Sequence, residues 1–358
     1  MFALSLAEVG HFTMLSNRAS GIQLRLYTRK LVSREQDNLG TTMRDLTPEA
    51  NIGKFQDPKT TATGEARAHV ALSNPQTLWF NTGTLCNITC ANCYIESSPT
   101  NDALVYLTTA EVSDYLDQLE TRAWGVREIG FTGGEPFMNP NMIDMAEAAL
   151  ARGYEVLILT NAMRPMMRPN VQAGLLTLQA RFDAQLTLRI SLDHYSAPGH
   201  DTERGTGAFT SSLTGMRWLR DHGIKMTVAG RADMAESEAD ARKGFAALFS
   251  TEGFDIDPTD PSATVLFPEM DMAVEVPEIT TSCWDILQKS PDAMMCASSR
   301  MVVKRKGAER PAVLACTLLP YDPQFELGTT LAEAEGSVSL NHPHCAKFCV
   351  LGGASCSA

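Results

Sequence analysis

Between about residue 77 and residue 268 the chain alternates short runs rich in apolar and β-branched residues with longer stretches of helical spacing. The runs read LWFNTG, EIGFTGG, EVLILTN, LTLRISLD, IKMTVAGR and ATVLFP. Runs of this length and composition are strand signals, and apolar residues recurring every three or four positions are helix signals. A helix start supports the reading: Thr108 with Glu111 three positions on is the reciprocal capping pattern, ahead of Val112, Tyr115 and Leu116. Strand–helix units in series imply parallel strands with helical crossovers, in an open doubly wound sheet or a barrel-like array. Polar residues discriminate between the two. Gly133-Gly134-Glu135 follow the second run, Thr160-Asn161 the third, Ser191 and Asp193 end the fourth, and Arg231 follows the fifth. Chemistry gathered at the C-terminal mouth of several parallel strands is the barrel arrangement.

The flanks read differently. Residues 1–75 alternate short apolar and polar pieces, and Asn38 to Gly64 is rich in Thr, Asp, Pro and Gly, which predicts an extension with a linker. After about residue 270 the periodicity fades and cysteines return at 283, 296, 316, 345, 349 and 356, so 271–358 is expected to be a smaller domain beside a core of 76–270. With 30 Lys and Arg against 42 Asp and Glu, the net charge of −12 argues against nucleic acid as a partner. The basic stretch Lys304, Arg305, Lys306 is expected to be a solvated turn. The N-terminus lacks a basic leader region, and no apolar run is long enough to span a membrane. A cytoplasmic location is therefore expected, where cysteines serve as metal ligands, catalytic thiols or buried small residues rather than disulfides.

Cys86, Cys90 and Cys93 fall within eight positions, just after the first run. Three is an odd number of thiols. A structural zinc site closes with four ligands and a disulfide needs two, whereas a [4Fe–4S] cube held by three thiolates leaves one iron open. The spacing Cys-x3-Cys-x2-Cys at this place resembles the signature of the radical S-adenosylmethionine (SAM) superfamily. Further stretches resemble that family in the expected order: Gly133-Gly134-Glu135-Pro136, Thr160-Asn161, Ser191-Leu192-Asp193, and HDTERGTGAF at 200–209. One position departs: Asn92 precedes the third cysteine, where members commonly carry an aromatic residue, and Tyr94 follows it.

The resemblance implies an α/β fold with a partial (β/α)6 TIM-like barrel. It implies that Cys86, Cys90 and Cys93 hold a [4Fe–4S] cluster whose open iron is chelated by SAM. Gly133, Gly134, Glu135, Thr160, Asn161, Ser191, Asp193 and Arg204 would contact SAM, with Glu135 at its ammonium and Arg204 at its carboxylate. One electron would then cleave SAM to a 5′-deoxyadenosyl radical that abstracts a substrate hydrogen, and a reductant such as flavodoxin or ferredoxin would supply it.

The C-terminal cysteines resemble a SPASM or twitch region, a small α+β domain. Cys296 and Cys316 flank CASSRMVVKRKGAERPAVLAC, read as strand, glycine turn and strand, and with Cys345 and Cys349 would hold an auxiliary [4Fe–4S] cluster. Alternatives stay open at this point: a second auxiliary cluster that also uses Cys283 and Cys356, a zinc site, or unligated buried thiols. Cys356 can also replace one of the four, and His344 is read as a loop residue. Four thiolates imply a closed cluster able to accept an electron, and hence oxidation or dehydrogenation of a small molecule. The alternatives are a peptide-modifying or cofactor-biosynthesis enzyme and a non-catalytic electron carrier. Asp193, His194, Tyr195 and Glu269, near strand ends, are candidate bases, each also readable as structural.

Overall fold

The computed structural model describes residues 53–232, 236–268 and 275–353; Glu269 and Cys356 lie outside the described residues. A two-residue strand, β1 (His69–Val70), precedes the six apolar runs. These form β2 (Thr77–Asn81), β3 (Glu128–Thr132), β4 (Glu155–Thr160), β5 (Leu186–Ser191), β6 (Lys225–Arg231) and β7 (Thr264–Phe267). The crossovers carry α1 (Thr109–Arg122), α2 (Met142–Leu150), α3 (Pro169–Phe182), α4 (Ala197–Arg204), α5 (Ala208–Asp221) and α6 (Glu238–Glu252). All five pairings from β2 to β7 are parallel and sequential, with Leu78 opposite Ile129, Ile129 opposite Val156, and Val228 opposite Thr264. β2 and β7 do not pair with each other, so the six-stranded array is open, as a partial barrel requires.

The sheet continues on the far side of β2. There β8 (Ser299–Val303) pairs parallel to β2, with Arg300 opposite Leu78. β9 (Ala312–Leu314) returns antiparallel, with Met301 opposite Leu314, and β10 (Glu326–Gly328) forms the edge. The hairpin expected between Cys296 and Cys316 is this β8–β9 pair.

Successive residues of a strand face opposite sides, and both sides are covered, which is why the runs read as nearly continuous apolar text. Leu78 and Phe80 join Phe131, Ile158 and Val228 against the helices, whereas Trp79 joins Leu157, Met301 and Leu314 under the C-terminal segment. The α1 cap forms as the sequence predicts: Thr108 and Glu111 bond reciprocally, and Val112, Tyr115, Leu116 and Leu119 are buried. Full burial of one such side chain contributes about 1.5–3 kcal/mol.

Residues 53–75, expected as part of an extension, are tied to the C-terminal segment. β1 pairs antiparallel with β11 (Val338–Ser339), the Ala68 N–H donates to Ile279 O at 2.9 Å, and Arg67 pairs with Glu278 at 2.5 Å with both side chains buried. No helix of the described residues is long and apolar enough to cross a membrane.

Candidate active site

The cysteine loop leaves the C-terminal end of β2, and Cys86, Cys90 and Cys93 line one cavity over the strand ends. The same cavity is lined by Gly133 and Gly134 after β3, Thr160 and Asn161 at the end of β4, Ser191 and Asp193 at β5, Arg204 closing α4, and Arg231 closing β6. Of the expected SAM-contacting residues, only Glu135 is absent from this lining.

Backbone contacts fix the loop. The Cys86 N–H donates to Ser98 O at 3.0 Å and the Ala91 N–H to Glu203 O at 2.8 Å. Asn92 Nδ2 reaches both Glu203 carboxylate oxygens at 3.1 and 3.0 Å, Arg231 Nη2 donates to Asn92 O at 2.7 Å, and the Tyr321 hydroxyl donates to Ile95 O at 2.9 Å. Asn92, where an aromatic residue was expected, thus ties the loop to the end of α4. Gly133 sits at φ +132°, in the region that favours glycine. At Gly134 a Cβ would stand 2.2 Å from the Leu85 carbonyl oxygen. These glycines let the end of β3 pack closely against the cysteine loop while still lining the cavity.

Glu135, expected at a ligand ammonium, is fully buried and faces β4. Its carboxylate accepts from Thr160 Oγ1 at 2.8 Å, the Asn161 N–H at 2.9 Å and the Phe137 N–H at 3.2 Å. Burial pushes its pKa up to about 6, against these donors. It holds the polar end of β4 in place; Asn161 in turn donates to Asn87 Oδ1 on the cysteine loop at 2.9 Å.

Asp193 is shared by two cations. Arg204 Nε donates to its Oδ2 at 2.6 Å, and Arg231 Nε lies 3.3 Å from its Oδ1. Burial works against its charge, but Arg204 and then Arg231 outweigh it and hold the carboxyl below its ordinary range. The cavity therefore meets a fixed ion-paired group there, not a free base. His194 and Tyr195, the other described base candidates, are not among the cavity-lining residues. His194 Nδ1 accepts from the Ser196 N–H at 3.0 Å, and the Tyr195 hydroxyl donates to Glu236 at 2.7 Å. In HDTERGTGAF, Asp201 accepts from the Gly207 and Phe209 N–H groups at 2.8 Å each, starting α5 at the position that sets Arg204. His200 is fully buried against Phe209, with no partner for either ring nitrogen among the described residues; burial, reinforced by Arg204, lowers its pKa to about 4.

Four C-terminal cysteines line a second, apolar chamber. Cys296 comes from the short turn before β8, Cys316 follows β9, and Cys345 and Cys349 lie on a wide π-type helical turn, Cys345–Leu351. His344 also lines it, and Cys283 does not: its sulfur accepts from the Thr280 N–H at 3.4 Å. Leu318 lines both chambers, and Phe348, from the same turn as Cys345 and Cys349, roofs the first with Phe267. A wider cavity of about 630 Å³ adjoins the first across Cys93, Tyr94, Arg231 and Leu318 and continues to Asp322, His342 and His344. Sequence reasoning missed Glu203, Leu318, Tyr321 and Phe348, because no local pattern marks them.

Three thiols in the first chamber and four in the second make sulfur-rich donor sets, the chemistry of iron–sulfur or zinc sites. In the metal-free chain, burial pushes the Cys86 thiol up to about 12 and the Cys345 thiol well above its ordinary value, so both are neutral until a metal displaces the proton. Among the described residues no three His, Cys, Asp or Glu side chains are drawn together around a point as a single ion needs.

Residues 80–233 match the family model of the Radical SAM superfamily. The chain is 33% identical over 145 residues to the antilisterial bacteriocin subtilosin biosynthesis protein AlbA of Bacillus subtilis, covering 40% of this chain and 30% of AlbA. It is 29% identical over 153 residues to an AdoMet-dependent heme synthase of Methanosarcina barkeri, covering 42% of this chain and 41% of that protein. The matched stretch thus spans less than half the length of either relative. Streptococcus suis SuiB bound to S-adenosylmethionine has a similar fold, with a TM-score of 0.53 at 13% identity over 72% of this chain and 63% of SuiB. Strand order, the cysteine loop and the family match agree that residues 80–233 form a radical SAM domain.

Proposed function

We propose that this chain is a radical SAM enzyme that modifies a peptide in the reducing cytoplasm, with an auxiliary cluster in its C-terminal chamber. The observation that carries the reading is one cavity shared by Cys86, Cys90 and Cys93 with Gly134, Asn161, Asp193 and Arg204, opening beside a second cavity of ligand-binding size. A [4Fe–4S] cluster held by the three thiolates, with SAM on its open iron, supplies when bound a 5′-deoxyadenosyl radical that removes a substrate hydrogen.

The protein's own part is positioning. Glu135 fixes Thr160 and Asn161 at the strand end, and Asn161 steadies the loop through Asn87. Asp193 orients Arg204, whose guanidinium suits a carboxylate group of a ligand. Phe267, Leu318 and Phe348 form an apolar roof that limits water where a reactive intermediate would be quenched. Cys296, Cys316, Cys345 and Cys349 would close an auxiliary cluster, since four thiolates leave no iron open. A flavodoxin or ferredoxin is the natural class of electron donor.

A peptide is preferred because the second cavity runs from the cysteine loop to the C-terminal histidines, room for an extended segment beside the first cavity. AlbA serves bacteriocin biosynthesis, and SuiB has been solved with its precursor peptide SuiA. Oxidation of a small molecule, the reading first suggested by the four-thiolate count, is the second reading, favoured by the heme synthase relative.

The test is anaerobic reconstitution followed by reduction with SAM and a deuterated bacterial extract, split by size into peptides and small molecules. Deuterium appearing in 5′-deoxyadenosine from the peptide fraction alone is the expected result. Transfer from the small-molecule fraction alone moves the assignment to the second reading. Absence of 5′-deoxyadenosine from a fully iron-loaded chain sinks both and leaves an electron carrier.

A further inference from the structure

Arg300 is a buried cation without a counter-charge. It lies on β8, four residues after Cys296, and is 1% exposed. Its guanidinium is surrounded by carbonyls: Nη1 donates to Cys296 O at 2.6 Å and Ser299 O at 2.9 Å, Nε to Ala334 O at 2.9 Å, and Nη2 to Gly336 O at 3.1 Å. Among the described residues no carboxylate lies within ion-pair distance of it. The other arginine buried to the same degree at this end of the fold, Arg67, has Glu278 at 2.5 Å.

Carbonyl oxygens satisfy the guanidinium's donors but leave its full positive charge in a medium of low polarity. That arrangement is costly unless an anion stands nearby. The carbonyl that Nη1 holds belongs to Cys296, whose thiol lines the chamber it shares with Cys316, Cys345 and Cys349. Neutral thiols cannot balance the charge. Four thiolates around a [4Fe–4S]2+ core carry a net charge of −2, which becomes −3 on one-electron reduction.

We infer that Arg300 is the built-in counter-charge of the auxiliary cluster and raises its reduction potential, making it a better electron acceptor. This rests on the reading that the chamber holds a four-thiolate cluster. A fixed cation beside the site stabilises the −3 state more than the −2 state, because the attraction scales with the charge. Arg300 acts through this field and touches neither substrate nor SAM; it is a positioning and tuning residue.

The experiment uses the full-length chain with Cys86→Ala, Cys90→Ala and Cys93→Ala, so that only the C-terminal chamber can load, compared with the same chain carrying Arg300→Gln or Arg300→Lys. Iron per chain and midpoint potential are read by metal analysis and a dithionite titration followed by electron paramagnetic resonance. The parent is expected to hold about four irons, one cubane. In the glutamine chain the reduction equilibrium should fall at least tenfold, about 59 mV for one electron, whereas the lysine chain should stay near the parent.

An unchanged potential in an iron-loaded glutamine chain overturns the inference, as does a lysine chain shifted as far as glutamine, which would mark a carbonyl cap with no electrostatic role. If the glutamine chain takes up no iron, the lysine chain decides: normal loading supports a need for charge, and equal failure overturns it. An iron-free parent instead sinks the underlying cluster reading.

Discussion

Replacing Glu135 by glutamine should remove a pH dependence of folding stability that the carboxylate creates. Burial raises the folded-state pKa from 4.5 to about 6 despite three donors. The folded chain therefore binds this proton more tightly than the unfolded chain does, so stability falls as pH rises from about 4.5 to about 6. At 1.36 kcal/mol per pKa unit, the loss is about 2 kcal/mol. Glutamine cannot ionise, and its amide nitrogen takes over one carboxylate oxygen position. Because Asn161 donates to Oε2 while Thr160 and Phe137 donate to Oε1, the variant keeps the latter pair and leaves the Asn161 N–H facing another donor. That costs about 1–3 kcal/mol at every pH. The variant should thus be clearly less stable at about pH 4 and close to the parent at about pH 7, the gap narrowing by about 2 kcal/mol. Urea unfolding of both iron-free chains across that range measures it, and groups titrating alike in both cancel in the difference. A gap that stays constant with pH, within the error of the extrapolation, would refute the assignment of a raised pKa to Glu135.

Gly134→Ala should displace the cysteine loop, because its Cβ would meet the Leu85 carbonyl oxygen at 2.2 Å. The expected outcome is loss of about four irons, one cubane's worth, with the C-terminal chamber still loaded; full loading at both sites would contradict it. Arg67→Met removes the cation from Glu278 but leaves the Phe55 and Ala62 N–H donors on its carboxylate, and should destabilise the chain by about 3 kcal/mol in urea unfolding. Tyr115→Phe removes hydroxyl donation to Thr329 O at 2.7 Å and Pro311 O at 3.2 Å and should cost about 1 kcal/mol, read as a shift in urea midpoint.

The six-stranded array was legible because each strand is covered on both faces and so writes its burial as a local run, and because strand ends in such arrays collect polar residues. The capping box of α1 was legible for the same local reason. Ser191, which ends β5, and Asp193, two positions beyond it, both line the first cavity. What stayed hidden depends on distant partners. Nothing near Glu135 marks its carboxylate as spent on β4, and nothing near Asp193 announces Arg231. His194 and Tyr195 sit just past a strand end like a catalytic pair, yet Glu236, more than forty positions from either, engages both. The pairing of β1 with β11 joins two-residue strands from opposite ends of the described chain, too short for any periodicity to register.

β2 is flanked by β3 on one side and by β8 on the other, and these neighbours are widely separated in sequence. During synthesis the strand that carries the cysteine loop emerges early, but its second neighbour leaves the ribosome roughly 200 residues later, which at about 5–20 residues per second is roughly 10–40 seconds. Until then one edge of β2 stays bare, and Tyr321, which holds the loop at Ile95, has not been made. Iron delivered to the nascent chain would meet three thiols on an unsecured loop. Iron uptake at this loop should therefore follow the synthesis of β8 and Tyr321, and a chain truncated before β8 should be both prone to edge-to-edge association and poor at retaining metal.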